Sequence, residues 1–192
     1  MPSRSLRTWQ VDARRALDEI ESAHRAVGGT GRGRRFALQQ INQAYVVLLS
    51  SHFQRFCRAL HTESVEHLIA APQYAAIRLI VYNSLVEGRK LNWGNANAGN
   101  IGADYARLGL DIWSRVHTAN PRSVQRLHKL EQLNLWRNAI AHHDFSKPRL
   151  GGRNQLTLSE VREWRRTCNA LALDFDRVAR AYLAGITGQA PW

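Results

Sequence analysis

The stretch from Leu130 to Phe145, LEQLNLWRNAIAHHDF, constrains the fold more than any other part of the chain. Leu130, Leu133, Trp136 and Ile140 recur at helical spacing and define an apolar stripe. Asn134, Asn138 and His142 follow one another at i, i+4 and define a polar stripe. The segment therefore reads as one long amphipathic helix that runs into a polar end. On a regular helix Arg137 lies about 100° around the axis from Asn138 and roughly 140° from His142. The two side chains can then serve one site only if the last turn unwinds near His142 or a second copy of the helix completes the set. Taken alone, an Arg, an Asn and a pair of His at a helix end can equally satisfy the last free carbonyls and complement the negative end of the helix dipole.

The rest of the chain repeats the helical period and shows no strand alternation. Ser5 to Val27 predicts a helix. Gly28 to Arg35, GGTGRGRR, predicts a basic linker able to touch RNA backbone. It lacks the G-K-[ST] ending of a phosphate loop. Phe36 to Leu60 is apolar on most of its circumference and predicts the central buried helix, with His52, Gln54, Arg55 and Arg58 at its more polar end. A short helix is expected from about Thr62 to Ala71, stopped by Pro72, and another from Gln73 to Val86. Glu87 to Gly102, rich in Asn and Gly, predicts an irregular loop around Trp93. Asp104 to His117 reads helical, and Asn120-Pro121 supplies a cap and first residue for the motif helix. After a loop from Ser146 to Gln155, Thr157 and Glu160 form a capping box for a last helix through Leu183. Trp93, Trp113, Trp136 and Trp164 are assigned to the core. The fold class is all-α, a bundle of long helices with short accessory ones. Residues 1–192 form a single domain, with a core at about 36–183, an N-terminal helix at 5–27 and the linker at 28–35.

A chain of 192 residues is long enough to bury one core and needs no second. Its formal charge of +12 points to a polyanionic partner, such as RNA, DNA or a strongly acidic protein. Lys90, Lys129 and Lys147 are the only lysines, so the positive charge is carried by Arg, which suits bidentate phosphate contacts. Cys57 and Cys168 sit inside apolar helical patterns and read as buried thiols rather than a disulfide or metal site. His142, His143 and Asp144 lack the i, i+4 spacing with which two helix residues meet one ion, so no metal or other cofactor is expected. No apolar run follows the first residues or spans a bilayer, and a cytoplasmic location is expected, with no membrane partner.

Arg137-Asn138-Ala139-Ile140-Ala141-His142 resembles the R-x4-6-H signature of the HEPN superfamily, in which an Arg and a polar residue, usually Asn, precede a His. Gln43 to Leu60, QAYVVLLSSHFQRFCRAL, resembles the early long helix of RiboL-PSP-type HEPN domains, with Gln54 where such relatives often carry Glu. The resemblance implies a helical bundle that dimerises with the two motif helices face to face across a basic cleft. It also implies a metal-independent endoribonuclease, often a toxin of toxin-antitoxin, abortive-infection or other defence systems, with an antitoxin or regulatory protein as a further partner. The alternative it leaves is a non-catalytic module that binds RNA, a nucleotide or a protein.

On the catalytic reading, His142 acts as base or acid because imidazole titrates near neutral pH. Arg137 binds phosphate oxygens as charge builds, and Asn138 orients His142 or the scissile phosphate. His143, Arg126 and Lys129 are candidate RNA contacts. Some family toxins carry a modifiable Tyr two residues after the His; Asp144 stands there, so that mode of silencing does not carry over.

Overall fold

The segments with a 3.6-residue period fold as helices, and no strand occurs among the described residues of this computed structural model, which describes residues 1–28 and 31–192 and only the backbone of Arg32. The longest helix, α3, runs from Arg32 to Ile69. Its 38 residues span about 57 Å at 1.5 Å per residue. Tyr45, Leu49, Phe53, Phe56 and Leu60 recur along its inner side and are each at most 3% exposed. Around this rod pack α2 (Arg14–Val27), α8 (Ser123–Ala141) and α9 (Leu158–Thr187). Burying a large apolar side chain in such a core stabilises the fold by about 1.5–3 kcal/mol relative to leaving it in water.

Two expected boundaries move. Arg32 to Arg35 form the first turn of α3 rather than a linker, Gly28 and Gly31 are the end residues that flank α2 and α3, and Gly29 and Thr30 lie outside the described residues. At Thr62, where a second helix was expected to begin, α3 continues without a break. Thr62 sits inside the helix with its hydroxyl donating to the Arg58 carbonyl at 3.1 Å, which leaves it unavailable as a cap. The buried Leu60 and Val65 on either side keep the helix attached to the core through this point.

The N-terminal helix is present but interrupted, as α1 (Arg4–Thr8), a π-helical turn at Trp9–Ala13, and α2. It belongs to the core, which widens the expected core toward the N-terminus: Leu6, Trp9, Ala13 and Leu17 are buried. Trp9 packs edge-on against Phe53, with centroids 5.7 Å apart. The Ser3 side chain caps α1 through the Leu6 N–H, and its own N–H donates to Asp176 on α9.

The accessory segments are more broken than their patterns suggest. Pro72–Ile77 is a 3-10 turn leading into α4 (Arg78–Val86). The Asn-rich stretch contains α5 (Lys90–Trp93) and the start of α6 (Ala98–Ala106), and a turn through Gly109, at φ 73°, separates α6 from α7 (Ile112–Ala119). Only glycine adopts that backbone region without strain, which is why the expected Asp104–His117 helix divides there. Asn120 holds the Arg122 N–H with its side chain at 3.2 Å, and α8 begins only at Ser123. The capping box of Thr157 and Glu160 opens α9 as expected, and Cys57 and Cys168 are free, buried thiols.

A buried polar network pins the Asn-rich stretch to α3. The Asp104 carboxylate accepts the N–H groups of Lys90 and Leu91 at 2.7 and 2.9 Å, capping α5. The Gln54 amide donates to the Leu91 carbonyl at 2.8 Å, a bond that a carboxylate at this position would be unable to make. The His61 Nε2 lies 2.9 Å from the Asp104 carbonyl, and its Nδ1 accepts from Arg89 at 3.1 Å. Burial, reinforced by the Arg89 guanidinium, pushes the His61 pKa down to about 4. The folded state thus holds His61 neutral, while the unfolded chain protonates it near the usual value of 6.5. This stabilisation is complete above that value and is lost as pH falls toward 4. Urea titrations should show a loss of about 2 kcal/mol between pH 7 and pH 5. His61→Gln, which keeps both hydrogen bonds without titrating, should flatten that slope; an unchanged slope in the variant would assign the effect elsewhere.

Candidate functional site

The polar stripe of α8 divides into two parts with different work. Its N-terminal part holds a loop. Glu131 accepts the Ala98 N–H at 2.8 Å, Asn134 donates to the Ala96 carbonyl at 3.0 Å, and Asn138 accepts from Asn95 at 2.6 Å. These positions follow at i, i+3, i+7, so one face of α8 grips successive residues of the chain from Asn95 to Ala98. Asn134 is accordingly buried, and its amide also bonds the Leu130 carbonyl one turn back. The loop is stiffened by Asn100, whose amide donates to the Asn95 carbonyl at 2.8 Å, and by Asn97, which caps α6.

The C-terminal part is open. Arg137 and Asn138 are half-buried, whereas His142 and His143 are exposed. The Asn138 Oδ1 accepts two bonds, from Asn95 and, at 3.2 Å, from the Arg137 guanidinium. Two donors on the oxygen fix the amide's orientation and leave its NH2 group to donate elsewhere. Asn95, only 8% exposed, is therefore part of the site, and its role was not read from the sequence. The density of asparagine from Asn92 to Asn100 was the available signal, though it does not say which amide faces the motif.

The helix ends where the motif needs it to. His142 is the C-cap at φ −100°, ψ 1°, outside the helical well, and His143 takes the left-handed conformation at φ 50°. The His143 N–H reaches the Ile140 carbonyl at 3.2 Å and the Asp144 N–H reaches the Ala139 carbonyl at 2.9 Å. This is a Schellman closure with histidine at the position that usually takes glycine. Phe145 then folds back on Trp136 and meets the His143 ring edge-on at 5.7 Å. The helix thus ends at His142, whose N–H still bonds the Asn138 carbonyl at 3.0 Å and whose side chain is exposed. Hydrogen bonds from the Ser146 hydroxyl and N–H, aided by Lys147 and His142, keep the Asp144 carboxyl ionised below its usual range.

The structure brings the Arg137 and Asn138 side chains together, while no side-chain hydrogen bond among the described residues joins either of them to His142. Arg126 and Lys129 stand apart. Arg126 is ion-paired to the buried Asp174 of α9, and Lys129 reaches Glu163 at 3.1 Å at the surface. Trp113, Trp136 and Trp164 pack as expected, but Trp93 is 86% exposed, two residues before Asn95. It sits at the end of the four-residue α5, too short to turn the ring inward once Leu91 has taken the buried position. Among the described residues no group of three His, Cys, Asp or Glu side chains could hold a metal ion, and no helix is long and apolar enough to cross a membrane.

Two substitutions separate structural from site residues. Arg126→Ala removes the charged partner of a buried carboxylate and leaves it only the 3.3 Å bonds from Asn120, and should lower unfolding free energy by about 3 kcal/mol. His143→Gly removes the left-handed strain and should raise the melting temperature by about 2 °C, through a gain of roughly 0.5–1 kcal/mol. A stable Arg126→Ala protein, or a destabilised His143→Gly protein, would contradict these assignments.

A family model described as RiboL-PSP-HEPN matches residues 12–180, most of the chain. Neither the curated proteins nor the solved structures compared with the chain gave a match.

Proposed function

The chain belongs to the RiboL-PSP-HEPN family, and from that premise we propose that it is a metal-independent endoribonuclease whose site forms where the α8 ends of two copies meet. The observation that carries the reading is the open end of α8: a guanidinium, an amide held with its oxygen inward, and an exposed imidazole at the C-cap.

The chemistry follows from these groups. The RNA 2′-oxygen bonds to phosphorus while the bond from phosphorus to the 5′-oxygen breaks. One imidazole removes the 2′-hydroxyl proton, and a second, protonated imidazole delivers a proton to the departing 5′-oxygen. The products are a 2′,3′-cyclic phosphate and a 5′-hydroxyl. Arg137 stays charged throughout and faces two phosphate oxygens as negative charge builds. Asn138, its amide set by Asn95, donates to the phosphate or to His142. A single chain offers one His142, so acid and base together call for a second copy, whose Arg137 and His142 complete the cleft.

The wider surface suits RNA unequally. His143 lies exposed at the rim. Lys129 is held only by a surface ion pair, which contributes about 0–1 kcal/mol, so it can exchange Glu163 for a phosphate. Arg126 is committed to Asp174 and serves the backbone track only if that pair opens. The charge of +12 supports a polyanionic substrate. An activity that destroys RNA needs restraint, and we assign the enzyme to a toxin-antitoxin, abortive-infection or related defence system, with an antitoxin or regulatory protein as partner.

Purified protein incubated with RNA and a chelator should cleave it. Arg137→Ala should slow cleavage by about 10²–10³-fold and His142→Ala by about 10²–10⁴-fold, with melting temperatures unchanged. Wild-type protein that binds RNA but leaves it intact would make this a binding module, and cleavage that survives both substitutions would move the site elsewhere.

A further inference from the structure

We propose that the cavity between the π-helical turn and the middle of α3 is a second, separate site that binds a small phosphate-bearing ligand. The cavity has a volume of about 350 Å³, within the range of about 300–1,000 Å³ typical of small-molecule sites. Arg55, Arg58 and Arg89 line it together with His52, Asp12 and Thr62. None of the motif residues does.

Its charge is out of balance. Arg89 is only 5% exposed, and its two terminal nitrogens are spent on neutral acceptors: the Arg58 carbonyl, the His61 ring, the Thr62 hydroxyl and, at 3.4 Å, the Asn92 side chain. Its Nε is buried with no partner at all. The nearest acid, Asp104, spends its carboxylate on the Lys90 and Leu91 N–H groups. Burial, with Arg58 close by, lowers the Arg89 pKa despite the pull of Asp104. A buried guanidinium without a bonded anion is costly, and an anion bound beside it would relieve the cost. Arg55 and Arg58 have no carboxylate partner among the described residues, and both reach the same space. Asp12 is the single acid on the wall against four arginines; Arg4 is paired with Glu66, and Arg55, Arg58 and Arg89 are left to face one carboxylate.

The backbone around the cavity is unusual in the same place. Trp9–Ala13, part of its lining, is π-helical, a deviation that recurs at functional sites. The deviation sets Trp9 against Phe53 and Phe56, and Trp9 and Phe56 give the cavity an apolar wall beside its basic one. A phosphate would sit among the arginines with thereby room for a small organic body against that wall. The inference is independent of the reading of the α8 motif.

Titration calorimetry of the full chain at constant ionic strength tests it, with inorganic phosphate, 5′-AMP and adenosine as probes. Phosphate and AMP should bind and adenosine should not. Equal affinity of the two anions identifies free phosphate as the ligand, and tighter AMP identifies a phosphate ester. Arg55→Ala, at an exposed position that bonds nothing else, should weaken binding at least about tenfold, the loss of one charged hydrogen bond. Arg58→Ala should act likewise. Absence of phosphate and AMP binding, or binding that Arg55→Ala and Arg58→Ala leave intact, overturns the proposal whatever happens to RNA.

Discussion

The grip of α8 on the Asn-rich segment is the contact on which the site depends. Glu131, Asn134 and Asn138 each bond a different residue between Asn95 and Ala98, and each bond is short. The neutral bonds of Asn134 and Asn138 contribute only about 1 kcal/mol apiece, but leaving the buried Asn134 amide unpaired would cost more than making the bond gains. The segment therefore has one favourable seat. Once it is there, Asn95 fixes Asn138, Asn138 holds Arg137, and the motif's polar groups are preorganised without any ligand. Preorganisation of this sort is where electrostatic catalysis draws its strength, because no reorganisation is needed as charge develops.

The same segment is tied from its other side. Asp104, Gln54, His61 and Arg89 anchor it to α3 through bonds that lie almost wholly inside the protein. A chain with four asparagines in nine residues would be a floppy loop by composition, yet it is held at both flanks by side chains on α3 and α8. Rigidity here comes from polar satisfaction rather than apolar burial, which explains why Trp93 stays outside while Leu91 and Ala96 go in. It also explains Gln54: the amide serves the Leu91 carbonyl, a task that needs a donor.

Much of this was legible in the sequence. The helical period of Leu130, Leu133 and Trp136, the capping box at Thr157 and the spacing of Tyr45, Leu49 and Phe53 are local signals, and the structure keeps them. Boundaries and burdens were less legible, because they depend on partners distant in sequence. Nothing near Thr62 says that Leu60 and Val65 both face the core and carry the helix onward. Asn134 and Asn138 read as an active stripe, but half of that stripe is occupied by a loop some forty residues away. Arg126 reads as a candidate RNA contact, and its ion pair with Asp174, on another helix, has no local signal. The histidine at φ 50° is the clearest local surprise: the pattern predicts a polar helix end, while the left-handed closure comes with Phe145 packed back on Trp136, a contact the helical period does not signal.

The most direct measurement of the central claim is the chemistry of the ends left on RNA cut in the presence of a chelator. An open helix end carrying Arg137, Asn138 and His142 predicts 2′,3′-cyclic phosphates and 5′-hydroxyls. Uncut RNA, or cuts bearing 3′-hydroxyls and 5′-phosphates, would contradict it.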